Sequence, residues 1–204
     1  MKKNSKDAIV QAAISLFQTR GYSGTSIRDI AKKAKVNPAN ISYYFHNKQG
    51  LLEYCFTSFF EQYLAIIEEA YLQLQEGAVT CLKQISKGIL HYFSNNSSLA
   101  SFVLREMSMD SQISREIMTT YYAKEKFFLQ HIFEVGVERK EFRLQSVSYS
   151  VIQLKALWLM PFINAPYLRE VFYVFPNEYF FAEKYTEEID QWIDNTLCCK
   201  EVIV

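Results

Sequence analysis

Ile9, Ala12, Ala13, Leu16 and Phe17 fall at i, i+3, i+4, i+7 and i+8, a single apolar stripe that predicts a helix over about 5–19 resting on partner helices. Asn4 or Ser5 is placed to cap it, Asp7 lies near the positive end of its dipole, and Gly21 ends it. The same spacing returns in Ile27, Ile30, Ala31 and Ala34, behind Thr25 or Ser26 as the cap, while Arg28, Lys32 and Lys33 point outward. Lys35 and Val36 make a turn and Asn37 caps. Pro38 takes the first helical position, where its missing N–H does no harm, and opens a short third helix over about 38–44. From Asn47, another cap, Leu51, Leu52, Cys55, Phe59, Tyr63, Ile67 and Ala70 predict a long helix to about 74, its first turn slightly weakened by Gly50.

Past the punctuation at 77–80, the pattern predicts helices near 79–94, 97–108, 111–138, 146–164 and 178–197, with an irregular stretch over 161–177. Six Gly and four Pro in 204 residues, half of them hydrophobic, favour long helices around a real core over a turn-rich β fold. The expectation is an all-α protein: a three-helix, N-terminal helix-turn-helix domain over 1–47, then a larger helical bundle over 48–204.

A net charge of zero hides an asymmetry. Residues 1–50 carry nine Lys/Arg against two acids, and the remainder carries thirteen bases against twenty acids. A basic head on an acidic body points to polyanion binding by the head alone. The cysteines Cys55, Cys81, Cys198 and Cys199 form no CxxC pair and no zinc-like spacing with histidine, so reduced thiols and no metal are expected. No apolar secretory segment follows the basic start, and the most apolar run, 156–163, is far shorter than a membrane span, which suggests a cytoplasmic protein. There is no GxSxG, Gly-rich phosphate loop or HExxH, and no Cys beside a plausible base; no catalytic residue, cofactor or enzymatic role is expected.

The chemistry that remains is in 25–48. Ile41 and Phe45, four apart, can anchor the third helix, which frees Ala39, Asn40, Ser42, Tyr43 and Tyr44 to face outward between Lys35 and Lys48. An amide, a hydroxyl and two phenols flanked by lysines are groups suited to base edges and phosphates of double-stranded DNA. The plainer alternative puts the lysines on a solvated face and the tyrosines in the core. It is outweighed by the capped helix, the tight turn, the Pro-started helix and the near-absence of acid occurring together.

These residues resemble the TetR family of bacterial DNA-binding regulators. The likeness covers about 9–52: Ala13, Leu16-Phe17, Gly21-Tyr22, Thr25-Ser26, Ile30-Ala31, Ala34, Val36, Ile41, Tyr43-Tyr44-Phe45, Lys48 and Leu51-Leu52. The resemblance implies that a hydroxyl of Thr25-Ser26, the Tyr43-Tyr44 pair and Lys48 lie on phosphates, with Asn37, Ala39 and Asn40 at or near bases. Arg28, Lys35, Ser42 and His46 complete the expected DNA surface. The chain departs from the family pattern at Ser42, where Tyr is frequent, and at Tyr44, where His is frequent.

The family also implies a homodimer through the last helices, with Leu154, Trp158, Tyr185, Ile189 and Trp192 as interface candidates. Phe162, Tyr167, Phe172, Tyr173, Phe175, Tyr179, Phe180 and Phe181 either line a small-molecule pocket or fill core and interface. Within the family, the strings at 23–26, 41–45, 115–118, 124–126, 153–155 and 160–161 resemble a branch that regulates cell division in endospore-forming bacilli. That likeness implies inverted-repeat chromosomal sites, a nucleoid location and contact with the tubulin-like division protein FtsZ, with Arg105, Glu106, Arg115 and Glu116 as partner candidates. Ordinary ion pairs are the simpler use of each of those four. Three readings stand: a DNA-bound division regulator, an ordinary ligand-responsive transcriptional repressor, and a dimeric interaction module that no longer binds DNA.

Overall fold

The computed structural model describes residues 5–109, 111–143 and 146–199, and it is helical throughout. Among the described residues there is no strand, only an isolated bridge between Phe142 and Cys198. The head is α1 (Ser5–Arg20), α2 (Ile27–Ala34) and α3 (Pro38–Phe45). α4 (Lys48–Tyr71) leads into the body. There follow α5 (Ala78–Asn95), α6 (Ser97–Met107), α7 (Gln112–Ile117), α8 (Ala123–Glu138), α9 (Val147–Ile163), α10 (Ala165–Phe172) and α11 (Tyr179–Trp192). No described helix is long and apolar enough to cross a membrane.

Local chemistry explains most boundaries. Ser26, not Thr25, caps α2 in a reciprocal box: the Asp29 N–H donates to Ser26 Oγ at 3.2 Å and the Ser26 N–H to Asp29 Oδ2 at 3.0 Å. Lys35, in the left-handed region at φ 56°, closes the helix. Asn37 caps α3 through the Ala39 N–H, and Asn47 caps α4 through the Gly50 N–H, each at 2.9 Å.

The body departs from expectation in two places. The single helix foreseen over 111–138 is α7 and α8 joined by a wider π turn at Met118–Tyr122. That extra residue per turn brings both Tyr121 and Tyr122 to Phe60, with ring centroids 5.7 and 5.5 Å away. The stretch foreseen as irregular contains α10. Pro161 lies inside α9; it deprives the Leu157 carbonyl of its intrahelical donor, and the Tyr185 hydroxyl of α11 donates to that carbonyl instead at 3.2 Å.

Head and body share one contiguous core. Phe17 of α1 stacks on Phe102 of α6 at 5.3 Å, and Phe102 meets Phe56 of α4 edge-on at 6.0 Å. All three are fully buried, each burial contributing roughly 1.5–3 kcal/mol. α4 and α5 approach closely at Gly88, where an added Cβ would lie 2.5 Å from Ile66 Cγ2.

Candidate nucleic-acid interface

α3 presents its outer face because its inner face is committed. Ile41 and Phe45 are buried against α1 and α4, and Phe45 packs edge-on against Tyr54 at 5.2 Å. Ala39, Ser42, Tyr43 and Tyr44 are consequently exposed, Tyr43 at 78% of its surface, and Asn40 is half-buried. The Tyr43 and Tyr44 rings stand edge to face at 5.0 Å, a preorganised aromatic pair on the surface. Arg28, Lys35 and His46 are exposed, Lys35 and His46 at the two ends of the turn-and-helix unit. His46 ends α3 at φ 63°, its N–H on the Ser42 carbonyl at 2.9 Å. Asn37 is exposed, but its side-chain oxygen is engaged by the Ala39 N–H.

Three residues expected on phosphate have other work. Thr25 is 2% exposed and its hydroxyl donates to the Gly21 carbonyl at 2.9 Å. Ser26 is exposed, yet its hydroxyl is in the α2 cap, donating to Asp29 Oδ2 at 2.5 Å. Lys48 donates to the carbonyls of Tyr22 and Thr25, both at 3.0 Å, with its ammonium 4.1 Å over the Tyr22 ring. Next to it, the Tyr22 hydroxyl donates to Gln49 Oε1 at 3.1 Å. The first turn of α4 is thereby fastened to the 21–26 loop. Tyr22 and Gln49, which carry no charge pattern to betray them, complete this joint.

Electrostatically the surface is one-sided. Of the two acids in the head, Asp29 is held below the usual carboxylate range by hydrogen bonds from the Ser26 side chain and backbone, hence ionised and already engaged. Lys33 donates to Ser15 Oγ at 2.7 Å, and Lys6 lies 4.2 Å over the Tyr54 ring. Arg20, Arg28, Lys32 and Lys35 are also exposed on the head, as are Ala39, Ser42 and Tyr43 on α3. Among the described residues no group of His, Cys, Asp and Glu is gathered as a metal site.

The body residues divide differently from expectation. Leu154, Trp158 and Ile189 are buried in the protomer's own core, Trp158 with its indole N–H on Ser86 Oγ at 3.0 Å, so they have no surface for a partner. Tyr185 and Trp192 are half-buried against that core, and Tyr185 is the residue that satisfies Leu157. The exposed apolar surface lies alongside, in Met160, Ile163, Tyr167, Phe172, Tyr179 and Phe180, from the end of α9 to the start of α11. Period-3.6 spacing marks an apolar stripe without saying what covers it, so periodicity alone does not separate an inward stripe from an interface. Arg105 is exposed on α6 and reaches the Gln18 carbonyl of α1 at 3.4 Å. Glu106 is half-buried, and its burial raises its pKa. Arg115 and Glu116 lie exposed on α7, Glu116 accepting from Gln112 at 3.0 Å.

Residues 9–55 match the model for bacterial regulatory proteins of the tetR family. Over 194 residues, 95% of this chain and 94% of the relative, the sequence is 42% identical to the probable HTH-type transcriptional regulator YttP of Bacillus subtilis. A shorter likeness, 34% identity over 70 residues, covers 32% of this chain and 38% of IcaR, the HTH-type negative transcriptional regulator of the biofilm operon icaADBC in Staphylococcus epidermidis. In architecture the chain is similar to the TetR family transcriptional regulator PfmR of Thermus thermophilus. The TM-score is 0.76 at 20% identity, over 91% of this chain and 96% of that one.

Proposed function

The chain belongs to the tetR family of bacterial regulatory proteins, DNA-binding transcriptional regulators rather than enzymes, and from that premise we propose that it is a homodimeric, ligand-responsive transcriptional repressor. The observation that carries this reading is the α3 face. Ala39, Ser42 and Tyr43 stand exposed on a helix locked from behind by Ile41 and Phe45, with Arg28 and Lys35 exposed on the same head. Residues 1–47 then form the DNA-binding unit and residues 48–204 the dimerising and regulatory unit. Acting on chromosomal DNA, the protein works in the cytoplasm, on the nucleoid. Because one short recognition helix reads few base pairs, a two-fold partner supplies a second half-site about one helical turn away, and the preferred DNA is an inverted repeat. The dimer forms through the exposed apolar residues of α9, α10 and α11, with Tyr185 and Trp192 at its edge.

The division-linked reading rests on short strings in the body and on Arg105, Glu106, Arg115 and Glu116 as contacts for FtsZ. It draws no support from the comparisons, in which the relative spanning nearly the whole chain is named a transcriptional regulator. Genome-wide mapping of bound DNA together with transcript profiling of a deletion strain tests the two. A repressor gives promoter-proximal inverted repeats whose genes rise in the deletion. Sites clustered away from promoters, with transcripts unchanged and septum placement altered, would overturn the repressor reading in favour of the division regulator.

A further inference from the structure

Among the described residues Glu125 of α8 is the buried carboxylate, 3% exposed. Its Oε1 accepts from the Tyr63 hydroxyl of α4, and its Oε2 from Lys155 Nζ of α9 at 2.6 Å. The Lys155 ammonium also lies 4.0 Å over the Tyr122 ring. Burying such a pair is costly, and an apolar pair would stabilise the core as well or better, so stability alone is a poor reason for it. A cleft of about 450 Å³ between α8 and α9 opens onto the pair. This volume falls within the range of small-molecule sites. Val147, Val151 and Ile152 supply apolar wall, and Lys126 and Ser148 supply polar groups at the rim.

The charges decide what fits. Both oxygens of Glu125 are engaged, so the carboxylate has little to offer a cation. Lys155, by contrast, has three ammonium protons with one of them on Glu125, and Lys126 adds a second positive group; with Glu125 the lining sums to one positive charge. We propose that this cleft binds a small amphipathic carboxylate, its head on Lys155 and its apolar chain along Val147, Val151 and Ile152, and that Glu125 and Tyr63 relay its arrival to the head. The ligand draws the ammonium from Glu125, which is left buried with only the Tyr63 hydroxyl; the cost is relieved when α8 shifts against α4. α4 is the helix whose first turn, through Lys48 and Gln49, fastens the 21–26 loop. The relay rests on the repressor reading; the binding site does not.

The test uses the full chain, with decanoate and decylamine as probes matched in chain and opposite in charge. Calorimetry measures their binding, and a separate titration measures affinity for mapped operator DNA. Lys155→Gln alone strands Glu125 and is expected to destabilise the fold, so the informative variant is the neutral pair Glu125→Gln with Lys155→Met. It should fold, bind operator as wild type does, and lose decanoate affinity by roughly tenfold or more. Decanoate should weaken operator binding by the wild type, and Tyr63→Phe should abolish that response while still binding decanoate. Equal or better binding of decylamine, unchanged decanoate affinity in the neutral pair, or no decanoate binding by an operator-competent wild type overturns the site. An unaltered response in Tyr63→Phe overturns the relay. Loss of operator binding without any probe is failure of the repressor reading itself.

Discussion

Lys48 uses its ammonium inside the protein, on two carbonyls and a ring, and this changes what its removal should do. Hydrogen bonds to a charged donor are worth about 1.5–3 kcal/mol. Lys48→Ala should therefore lower unfolding stability by roughly that amount, read by urea denaturation, as well as weaken DNA binding. A variant of wild-type stability with only a shallower salt dependence would return Lys48 to a direct phosphate role. Tyr43→Ala is the contrasting case: an exposed ring outside the core, whose loss should leave stability within about 0.5 kcal/mol of wild type while operator affinity falls roughly tenfold or more. Asp29 supplies a pH signature. Its folded pKa is depressed below the ordinary aspartate value of 3.8, so the stability it contributes is fully present above that value and is lost as pH falls through the lower, folded one. Thermal melts of wild type and Asp29→Asn should differ at neutrality and converge in acid below 3.8.

Helix boundaries in the head follow from short-range chemistry, and so Ser26, Lys35, Asn37, Pro38 and Asn47 are readable in the sequence as caps, turn and first-turn residues. Gly50 is not. By propensity it is only a weak helix former, yet a Cβ there would lie 2.2 Å from the Phe45 carbonyl oxygen, because α3 ends and α4 begins within a few residues of each other. Gly50→Ala should force the two helices apart, lowering stability by about 1–3 kcal/mol and loosening the recognition helix. Parallel denaturation and operator titration check it; an alanine variant of wild-type stability would show that this junction yields freely. The π turn at Met118–Tyr122 and the Pro161 site are hidden from the sequence for the same kind of reason. Each is completed by a partner on another helix, Phe60 in one case and Tyr185 in the other.

The molecule as a whole joins a basic head and an acidic body through a shared core, with Phe102 placed between Phe17 and Phe56. Phe102 of α6 is thereby packed against both α1 and α4. Exposed aromatics are concentrated from the end of α9 to the start of α11, in Tyr167, Phe172, Tyr173, Phe175, Tyr179 and Phe180. Phe172→Asp should shift the sedimentation of the chain from dimer to monomer without unfolding it, since Phe172 lies outside the buried core. Operator binding should fall with dimerisation, because a monomer has a single half-site. Dimeric sedimentation unchanged by this charge would move the interface elsewhere.

Helical class, the helix-turn-helix and its outward residues Ala39, Ser42 and Tyr43 are legible from sequence because periodicity, caps and charge act over a few residues. The direction each body stripe faces is not legible. Leu154, Trp158 and Ile189 carry the same apolar signature whether they meet their own core or a partner, and only the packing of α5, α9 and α11 assigns them inward. The internal hydrogen bonds of Lys48 and Thr25 likewise exist only once the 21–26 loop is folded against α4. The Tyr63, Glu125 and Lys155 set is the extreme case: three residues on three helices, unremarkable one by one, become a buried charge network only when tertiary packing removes the water between them.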